Sequence, residues 1–221
     1  MAEKNQGKGL VRYVPDYVVF DLETTGLSPV RDEMIELSGL KVNGGVIVDT
    51  FSTLINPGRK IPVQASRVNG ITDDMVADAP VLKDVLADFL AFSESYVLVG
   101  HNIRSFDLKF ISYAADRLFG KTIVNDYIDT LYMSRRCLPQ LSSHKLVDVS
   151  AYFSLSCEGA HRALNDCIMN QKCYEAMGKL KQTVKAEICP RCRSELVRRK
   201  GKFGEFLGCG SYPDCRYTRN V

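Results

Sequence analysis

The sequence lacks any long hydrophobic run, because no stretch approaches the roughly 18–20 apolar residues that a membrane-spanning helix requires. Its first residues, MAEKNQGKG, are polar and lack the apolar segment of a secretory signal peptide. Internal repeats and low-complexity tracts are also missing. We therefore expect a globular protein of the cytoplasm that has no membrane partner.

Apolar residues are abundant enough for a substantial core. The chain has 221 residues, of which 45% are hydrophobic, and this excludes disorder over its whole length. Such a length suits one large domain, or one medium-sized domain and a small one.

Charge is distributed unevenly, although the formal net charge is only +3. From residue 185 to the end there are nine basic and four acidic residues, a surplus of five positive charges. The rest of the chain therefore carries a net charge of −2. A mildly acidic body joined to a basic tail is one indication of nucleic-acid binding.

The pattern of apolar residues predicts a strand, then a hairpin at Asn43-Gly44-Gly45, then alternating helices and strands. This order is typical of an α/β protein with a mixed sheet flanked by helices. The predicted strands are Tyr17–Phe20, Met34–Lys41, Val46–Ile55, Tyr96–Gly100 and Tyr127–Asp129, and the main predicted helices are Pro80–Phe92, Phe106–Phe119, Lys145–Phe153 and Ala163–Leu180.

Two carboxylates interrupt the first apolar strand. Asp21 directly follows Val18-Val19-Phe20, and Glu23 lies two residues further on. Side chains two apart on a strand share one face, and crowding two like charges is unfavourable unless a cation or hydrogen bonds compensate them. Taken alone, the pair is also explained by a turn or a helix cap.

Two later segments place polar residues where a helix begins. Asp107 follows a buried strand, a common location for ligand sites in α/β folds, although it could be an ordinary first-turn acid. His161 and Asp166 are five residues apart, which is not a same-face helical spacing. We therefore expect His161 on a loop and Asp166 inside the next helix; the alternative is a surface histidine and a solvated carboxylate.

Together these segments resemble the three motifs of the DEDDh 3′→5′ exonucleases, a superfamily that includes the proofreading subunit of bacterial DNA polymerase III and oligoribonuclease. The motifs occur in the family's order, and the resemblance covers about residues 14–180. It implies a ribonuclease H-like fold. Two shorter segments, Val68–Thr72 and Asp129–Leu131, also resemble recurring family segments. The motifs are Asp21-x-Glu23-Thr24-Thr25-Gly26, His101-Asn102-x3-Phe106-Asp107 and His161-x4-Asp166.

The implied chemistry is hydrolysis with two metal ions. Hard oxygen ligands suit Mg²⁺ or Mn²⁺, and two such ions would neutralise four carboxylates. Ions about 4 Å apart bind both the attacking and the leaving oxygen of an in-line phosphoryl displacement. A histidine with a usual pKa of about 6.5 would accept the proton of the attacking water. The implied metal ligands are Asp21, Glu23, Asp107 and Asp166, and the implied base is His161.

The resemblance also implies contacts to the terminal nucleotide, with His101 as a phosphate contact. A place in the core is an alternative for Phe106, and capping of the following helix is an alternative for Asp129. The implied substrate contacts are Thr24, Thr25, His101, Asn102 and Phe106.

Four of the eight cysteines lie in the last 33 residues, as a C-x2-C pair and a C-x5-C pair sixteen residues apart. Two pairs suit a tetrahedral Zn²⁺ ion, whereas a redox pair or two disulfides would not explain the whole pattern. The tail, over residues 187–219, resembles the C-terminal zinc ribbon of type IA topoisomerases, in which the second pair has this longer gap. The implied zinc ligands are Cys189, Cys192, Cys209 and Cys215.

The sequence thus predicts a polar lead (1–12), an exonuclease domain (13–182) and a zinc ribbon (187–219). We expect release of nucleoside 5′-monophosphates from single-stranded DNA, which the ribbon binds through basic and aromatic residues. DNA is favoured because the tail resembles a topoisomerase module. An exoribonuclease and a non-catalytic nucleic-acid adaptor are the alternatives, and retention of all five catalytic residues argues against the second. Replication or repair proteins are the protein partners considered.

Overall fold

The fold was analysed in a computed structural model, in which residues 7–155, 162–181, 187–194, 196–201 and 204–220 are described. Within these residues the chain forms a five-stranded sheet with seven helices and, near the C-terminus, a separate three-stranded sheet. No helix among them is both long enough and apolar enough to cross a membrane.

The larger sheet is mixed. Its first three strands in sequence are antiparallel neighbours, and the last two run parallel to the first. The order across the sheet is β3-β2-β1-β4-β5. The strands are β1 (Tyr17–Thr24), β2 (Met34–Asn43), β3 (Val46–Leu54), β4 (Val97–Gly100) and β5 (Tyr127–Asp129). The mixed sheet predicted from the sequence is thereby confirmed.

The helices follow the hairpin of β2 and β3, whose turn residues Gly44 and Gly45 have positive φ angles of 58° and 80°. Two consecutive left-handed residues are what a tight hairpin turn requires, and glycine adopts them without steric cost. The helices are α1 (Val63–Asn69), α2 (Asp73–Val76), α3 (Leu82–Ser93), α4 (Asp107–Phe119), α5 (Thr130–Cys137), α6 (Leu146–Tyr152) and α7 (Ala163–Lys181).

Strand β1 is the centre of the fold, because both of its faces are covered. Val18, Phe20 and Leu22 belong to the core that α3 and α4 complete. Tyr17 and Val19 belong to the core on the other face, which α5, α6 and α7 complete. Since side chains alternate along a strand, the next odd-numbered residues after Val19 must project toward the α7 side.

The described part of the N-terminal lead is attached to the sheet edge. The backbone N–H of Leu10 donates to the carbonyl of Tyr127, and the N–H of Tyr127 donates to the carbonyl of Lys8. The Leu10 side chain packs against the α7-side core. Residues 8–10 therefore cover the edge strand β5, although the polar sequence of this lead predicts a loose segment.

The C-terminal unit, here called the ribbon (the described residues from 187 onward), is built from β6 (Leu196–Gly201), β7 (Gly204–Cys209) and β8 (Thr218–Asn220), all antiparallel. From the sequence of so small a unit, Phe203 and Phe206 are the first candidates for its core. Phe206 is only half-buried, and Phe203 lies outside the described residues. The aromatic residue that packs against the core is Tyr217, and the core itself consists of Leu196, Leu207, Cys189 and Cys209.

Candidate active site and zinc site

Three carboxylates meet between β1 and the first turn of α7. Asp21 and Glu23 continue the odd-numbered positions of β1 and therefore face α7. Helix α7 begins at Ala163 and packs against β1 and β2, which places Asp166 opposite them. Carboxylate oxygens of Asp21, Glu23 and Asp166 all lie within 4.8 Å of one another.

The fourth predicted carboxylate, Asp107, lies beside this group. It is the first residue of α4 and follows the end of β4, the parallel neighbour of β1. Only 3% of its surface is exposed. Burial raises the pKa of Asp107 to about 7, although hydrogen bonds from the backbone of Asp107 and Leu22 act in the opposite direction. Its charge in turn helps to raise the pKa of Asp21.

The pKa values of these carboxyl groups are raised by burial and by the negative charges of their neighbours. The pKa of Asp21 lies well above its usual value because of burial and repulsion from Asp107 and Asp166. Burial, and then repulsion from Asp166, raises the pKa of Glu23 to about 8. A cation would remove this cost, and a set of carboxylate oxygens alone is the donor type that Mg²⁺ and Mn²⁺ prefer. The residues present therefore fit the divalent ions that the motifs imply.

A fifth acid, the buried Glu36, was missed by sequence reasoning. It is 3% exposed and pairs in register with Glu23 across β1 and β2. The Arg162 guanidinium donates to it at 2.7 Å, and the backbone N–H of Ala163 donates at 3.1 Å. Glu36 thus fixes the start of α7, which lies two residues after His161 in the sequence. His161 itself lies outside the described residues, and its role as the base stays a prediction.

Asn69 orients one of the cluster's carboxylates. It is buried at the end of α1, and its side chain donates a hydrogen bond to Glu23, which lowers the pKa of that carboxyl against the larger raising effects. Its own Oδ1 accepts the backbone N–H of Ile71 at 3.0 Å. The signal available in the sequence was the resemblance of the Val68–Thr72 segment to a recurring family segment.

The predicted substrate-binding threonines have partners within the protein. The Thr24 hydroxyl donates to the carbonyl of Gly26 at 2.6 Å. The Thr25 hydroxyl accepts the N–H of Glu33 at 2.9 Å and an Arg59 guanidinium N–H at 3.2 Å. These bonds hold the turn after β1 beside the carboxylates, and nucleotide binding by either residue stays a prediction.

Phe106 directly precedes α4 and is half-buried. Its ring packs on that of Phe110, with 5.0 Å between the ring centroids, at the border of the core that α3 and α4 complete. Both interpretations of Phe106, core packing and contact with a base, are compatible with this half-buried position.

His101 is engaged on both sides of its ring. Nε2 lies 2.9 Å from the carbonyl oxygen of His144, and Nδ1 lies 3.1 Å from the Thr130 hydroxyl. Burial lowers the pKa of His101 to about 4, so the ring is neutral near pH 7. Because a carbonyl only accepts, Nε2 must carry the proton. The predicted phosphate contact by His101 stays a prediction.

The loop from β4 to α4 is fixed by Asp129. Asn102 adopts a left-handed conformation with φ 62°, which asparagine tolerates better than most residues, and its N–H donates to Asp129 at 3.1 Å. Asp129 also accepts the N–H of Tyr132 as the N-cap of α5. The helix-capping interpretation of Asp129 is therefore confirmed.

The four C-terminal cysteines form a second group, with all Sγ atoms within 4.8 Å of one another. The Sγ atoms of Cys189 and Cys215 are 3.7 Å apart, and those of Cys192 and Cys209 are 3.3 Å apart. These separations are far longer than a disulfide bond and close to the roughly 3.8 Å edge of a tetrahedron with Zn–S bonds of about 2.3 Å. The four thiolates therefore fit one Zn²⁺ ion.

Comparison with known families matches both units. The family described as "Exonuclease" matches residues 18–174, and the family described as "Topoisomerase DNA binding C4 zinc finger" matches residues 186–221. The chain therefore belongs to the exonuclease family, of the DEDDh type, and carries a topoisomerase-like C4 zinc ribbon.

Among curated proteins, the chain is 37% identical over 185 residues to a DNA polymerase III PolC-type protein of Caldanaerobacter subterraneus subsp. tengcongensis. That match covers 84% of this chain but only 13% of the relative. A DNA polymerase III subunit epsilon of Aquifex aeolicus is 35% identical over 158 residues, which cover 72% of this chain and 78% of the relative.

Solved structures share the fold. Exonuclease X in complex with 5′-overhanging duplex DNA matches with a TM-score of 0.58 and 27% identity, over 76% of this chain and 92% of that one. E. coli exonuclease I in complex with a dT13 oligonucleotide matches with a TM-score of 0.68 and 17% identity, over 92% of this chain and 54% of that one. The ribonuclease H-like fold implied by the sequence motifs is confirmed.

Proposed function

We propose that this protein is a metal-dependent 3′→5′ exonuclease that releases nucleoside 5′-monophosphates from single-stranded DNA ends. The observation that carries the proposal is the convergence of Asp21, Glu23 and Asp166 within 4.8 Å, with buried Asp107 beside them. The chain is similar to DNA polymerase III proteins and to a DNA-bound exonuclease, and this similarity favours DNA as the substrate and replication proteins as partners.

The chain's own residues have distinct tasks in this reaction. Asp21, Glu23, Asp107 and Asp166 would hold two divalent ions, Mg²⁺ or Mn²⁺. When bound, such ions supply Lewis-acid stabilisation of the attacking and leaving oxygens. Asn69 orients the Glu23 carboxylate by a hydrogen bond. Glu36 fixes the start of α7.

Each reaction cycle consumes one water molecule and breaks one phosphodiester bond. Water oxygen attacks the phosphorus of the 3′-terminal nucleotide, and His161 takes a proton from the water. The bond from this phosphorus to the 3′-oxygen of the preceding nucleotide breaks, and that oxygen takes up a proton from solvent. The products are a nucleoside 5′-monophosphate and a strand with a new 3′-hydroxyl. The base assignment rests on the position of His161 in the motif.

In this proposal, residues 13–182 carry out catalysis, and the zinc ribbon of residues 187–219 binds the strand. Basic residues are exposed along β6, among them Arg198, Arg199 and Lys200. Such residues attract phosphates irrespective of base sequence. Exposed Tyr212 offers a ring on which an unpaired base can stack.

Digestion of 5′-end-labelled single-stranded DNA, duplex DNA and RNA tests the proposal, with Mg²⁺, Mn²⁺ or a chelator. We expect a ladder that shortens from the 3′ end of single-stranded DNA, with loss of all cleavage in chelator. If RNA is digested faster than single-stranded DNA, the preferred substrate is RNA. Cleavage that survives the chelator, or an Asp21→Asn variant with full activity, would contradict the site.

A further inference from the structure

A cleft of about 1010 Å³ separates the exonuclease body from the ribbon. One wall is formed by the loop from β4 to α4 and by α5, including Asn102 and Tyr132. The other wall is formed by β6, β7 and the segment that contains Tyr212. Neither catalysis at the carboxylates nor zinc binding by the cysteines uses this space.

The cleft is lined by more positive than negative charge. Its three acidic residues are already engaged within the protein: Asp214 pairs with Arg104 at 2.9 Å, Glu187 pairs with Arg219, and Asp129 accepts backbone N–H groups. The basic side chains that line the cleft are Arg104, Lys109, Arg135, Arg136, Arg198 and Arg199. This surplus makes the cleft complementary to a polyanion.

An aromatic ring accompanies the charge. Tyr212 is 56% exposed, and the Arg199 guanidinium lies over its ring at 5.6 Å from the centroid. An exposed ring beside a cation can stack an unpaired base while the cation attracts the adjoining phosphate. A duplex offers no such base, so the combination favours a single strand.

The loop from β4 to α4, which leads to Asp107, forms part of the cleft wall. Asn102 and Ser105 line it, and they belong to the same loop that ends at Asp107. Asp129, whose carboxylate holds the Asn102 N–H, lines it as well. One end of a strand lying in the cleft would therefore be next to the loop that leads to Asp107.

Contacts across the cleft hold its two walls together. Arg104 donates to the carbonyl of Gly210 as well as to Asp214, and Arg136 donates to the carbonyl of Leu196 at 3.3 Å. The β4–α4 loop and α5 are thus tied directly to the ribbon, which keeps a strand-binding surface next to the active site.

We propose that this cleft binds the phosphate backbone of the single strand upstream of the nucleotide being removed, with Tyr212 stacking one base. The assignment rests on the proposed exonuclease function. It defines a path for the strand that neither the exonuclease motifs nor the zinc ribbon specifies alone, because the cleft exists only where the two units meet.

Binding of a fluorescein-labelled oligothymidylate tests the assignment, in an Asp21→Asn background that prevents hydrolysis. The Lys109→Ala, Arg135→Ala pair removes two exposed cations from the cleft. We expect weaker binding and a slope of log affinity against log salt that is smaller by about 1.4, since each phosphate contact contributes about 0.7 for single strands. The control pair, Lys83→Ala with Lys172→Ala, removes two exposed cations elsewhere and should leave the slope unchanged.

Tyr212 tests the stacking contact separately. Tyr212→Ala should weaken binding roughly 5-fold or more without changing the salt slope, and Tyr212→Phe should restore it because it keeps the ring. Retained zinc content and an unchanged circular dichroism spectrum show that each variant is folded. Unchanged affinity in both the double variant and Tyr212→Ala would overturn the proposal. So would a polyglutamate peptide that binds as tightly as the strand and with the same dependence on Tyr212.

A one-nucleotide substrate separates failure of this proposal from failure of the exonuclease proposal. With Asp21 restored, the cleft variants should hydrolyse the p-nitrophenyl ester of thymidine 5′-monophosphate at the wild-type rate but degrade oligothymidylate more slowly. Wild-type rates on both substrates would overturn the cleft alone. A wild-type protein that hydrolyses neither substrate would refute the exonuclease, while the binding curves still decide the cleft.

Discussion

The carboxylates of the active site are held close together by strand alternation in β1 and by the docking of α7. Their raised pKa values follow from that geometry, since like charges that are crowded together and removed from water resist ionisation. Burial raises the pKa of Glu23 to about 8 and that of Asp107 to about 7, above the values expected in an unfolded chain.

These raised pKa values predict how metal binding depends on pH. Between about pH 4 and 8 the folded protein retains protons on Glu23 and Asp107 that the unfolded chain has released, so their contribution to stability falls as pH rises. Metal must displace those protons at low pH. We therefore expect Mn²⁺ to raise the melting temperature more at about pH 8 than at about pH 5.5. Equal shifts at both pH values, or an undiminished shift in Asp166→Asn, would contradict the metal site.

The motif predicts one general base. His161→Ala should lower the hydrolysis rate by about 10²–10⁴-fold and flatten the rise in rate with pH, because the proton acceptor is gone. His144→Ala is the control, since that ring bonds Ser134 and lies outside the carboxylate cluster. A His161→Ala enzyme whose rate and pH profile match the wild type would assign the base elsewhere.

Glu36 should matter for stability because it satisfies a buried backbone N–H at the start of α7. Glu36→Leu leaves the Ala163 N–H without an acceptor and should lower the free energy of unfolding by about 1–3 kcal/mol, measured by urea denaturation. Glu36→Gln keeps an acceptor and should cost less. The Arg162 side chain is 43% exposed, so solvent screens its ion pair. Equal stability of the Leu variant and the wild type would show that this bond is dispensable.

At the level of helices and strands, alternation and turn chemistry predicted most of the fold. The hairpin at Gly44 and Gly45 and the short strand β5 were predicted close to their observed bounds. Helix α1 was missed because it has only seven residues and no side-chain cap, so no signal marks its start. Glu36 was missed because its partner Arg162 is 126 residues away, and such a contact leaves no trace in local pattern.

The ribbon is the element whose stability depends on metal. Among its described residues, the core contains Leu196, Leu207 and cysteine side chains, with Tyr217 packed against them, which is too little apolar surface to fold without a further link. We expect removal of zinc, or Cys189→Ser, to abolish the ribbon's dispersed amide resonances while those of β1 to β5 persist. Cys137→Ser is the control, because Cys137 lies on α5 away from the zinc ligands. A ribbon that stays folded without zinc would refute the site.

For the whole molecule, the uneven charge of the sequence acquires a structural meaning. The acidic body contributes the carboxylate cluster, and the basic tail contributes one wall of the arginine-lined cleft beside it. Composition alone indicated nucleic acid, and the motifs indicated the chemistry. The placement of the two units is visible in the structure, where Arg104 and Arg136 make contacts across the cleft.

The most direct test of the central claim is the release of mononucleotide from a 3′-terminally labelled single-stranded oligonucleotide in a single turnover with Mg²⁺. We predict labelled nucleoside 5′-monophosphate as the first product of the wild type and of Asp88→Asn, a control that neutralises an exposed acid on α3. Asp166→Asn should release at least about 10³-fold less in the same time. Equal release by Asp166→Asn, or a nucleoside 3′-monophosphate as product, would contradict the account.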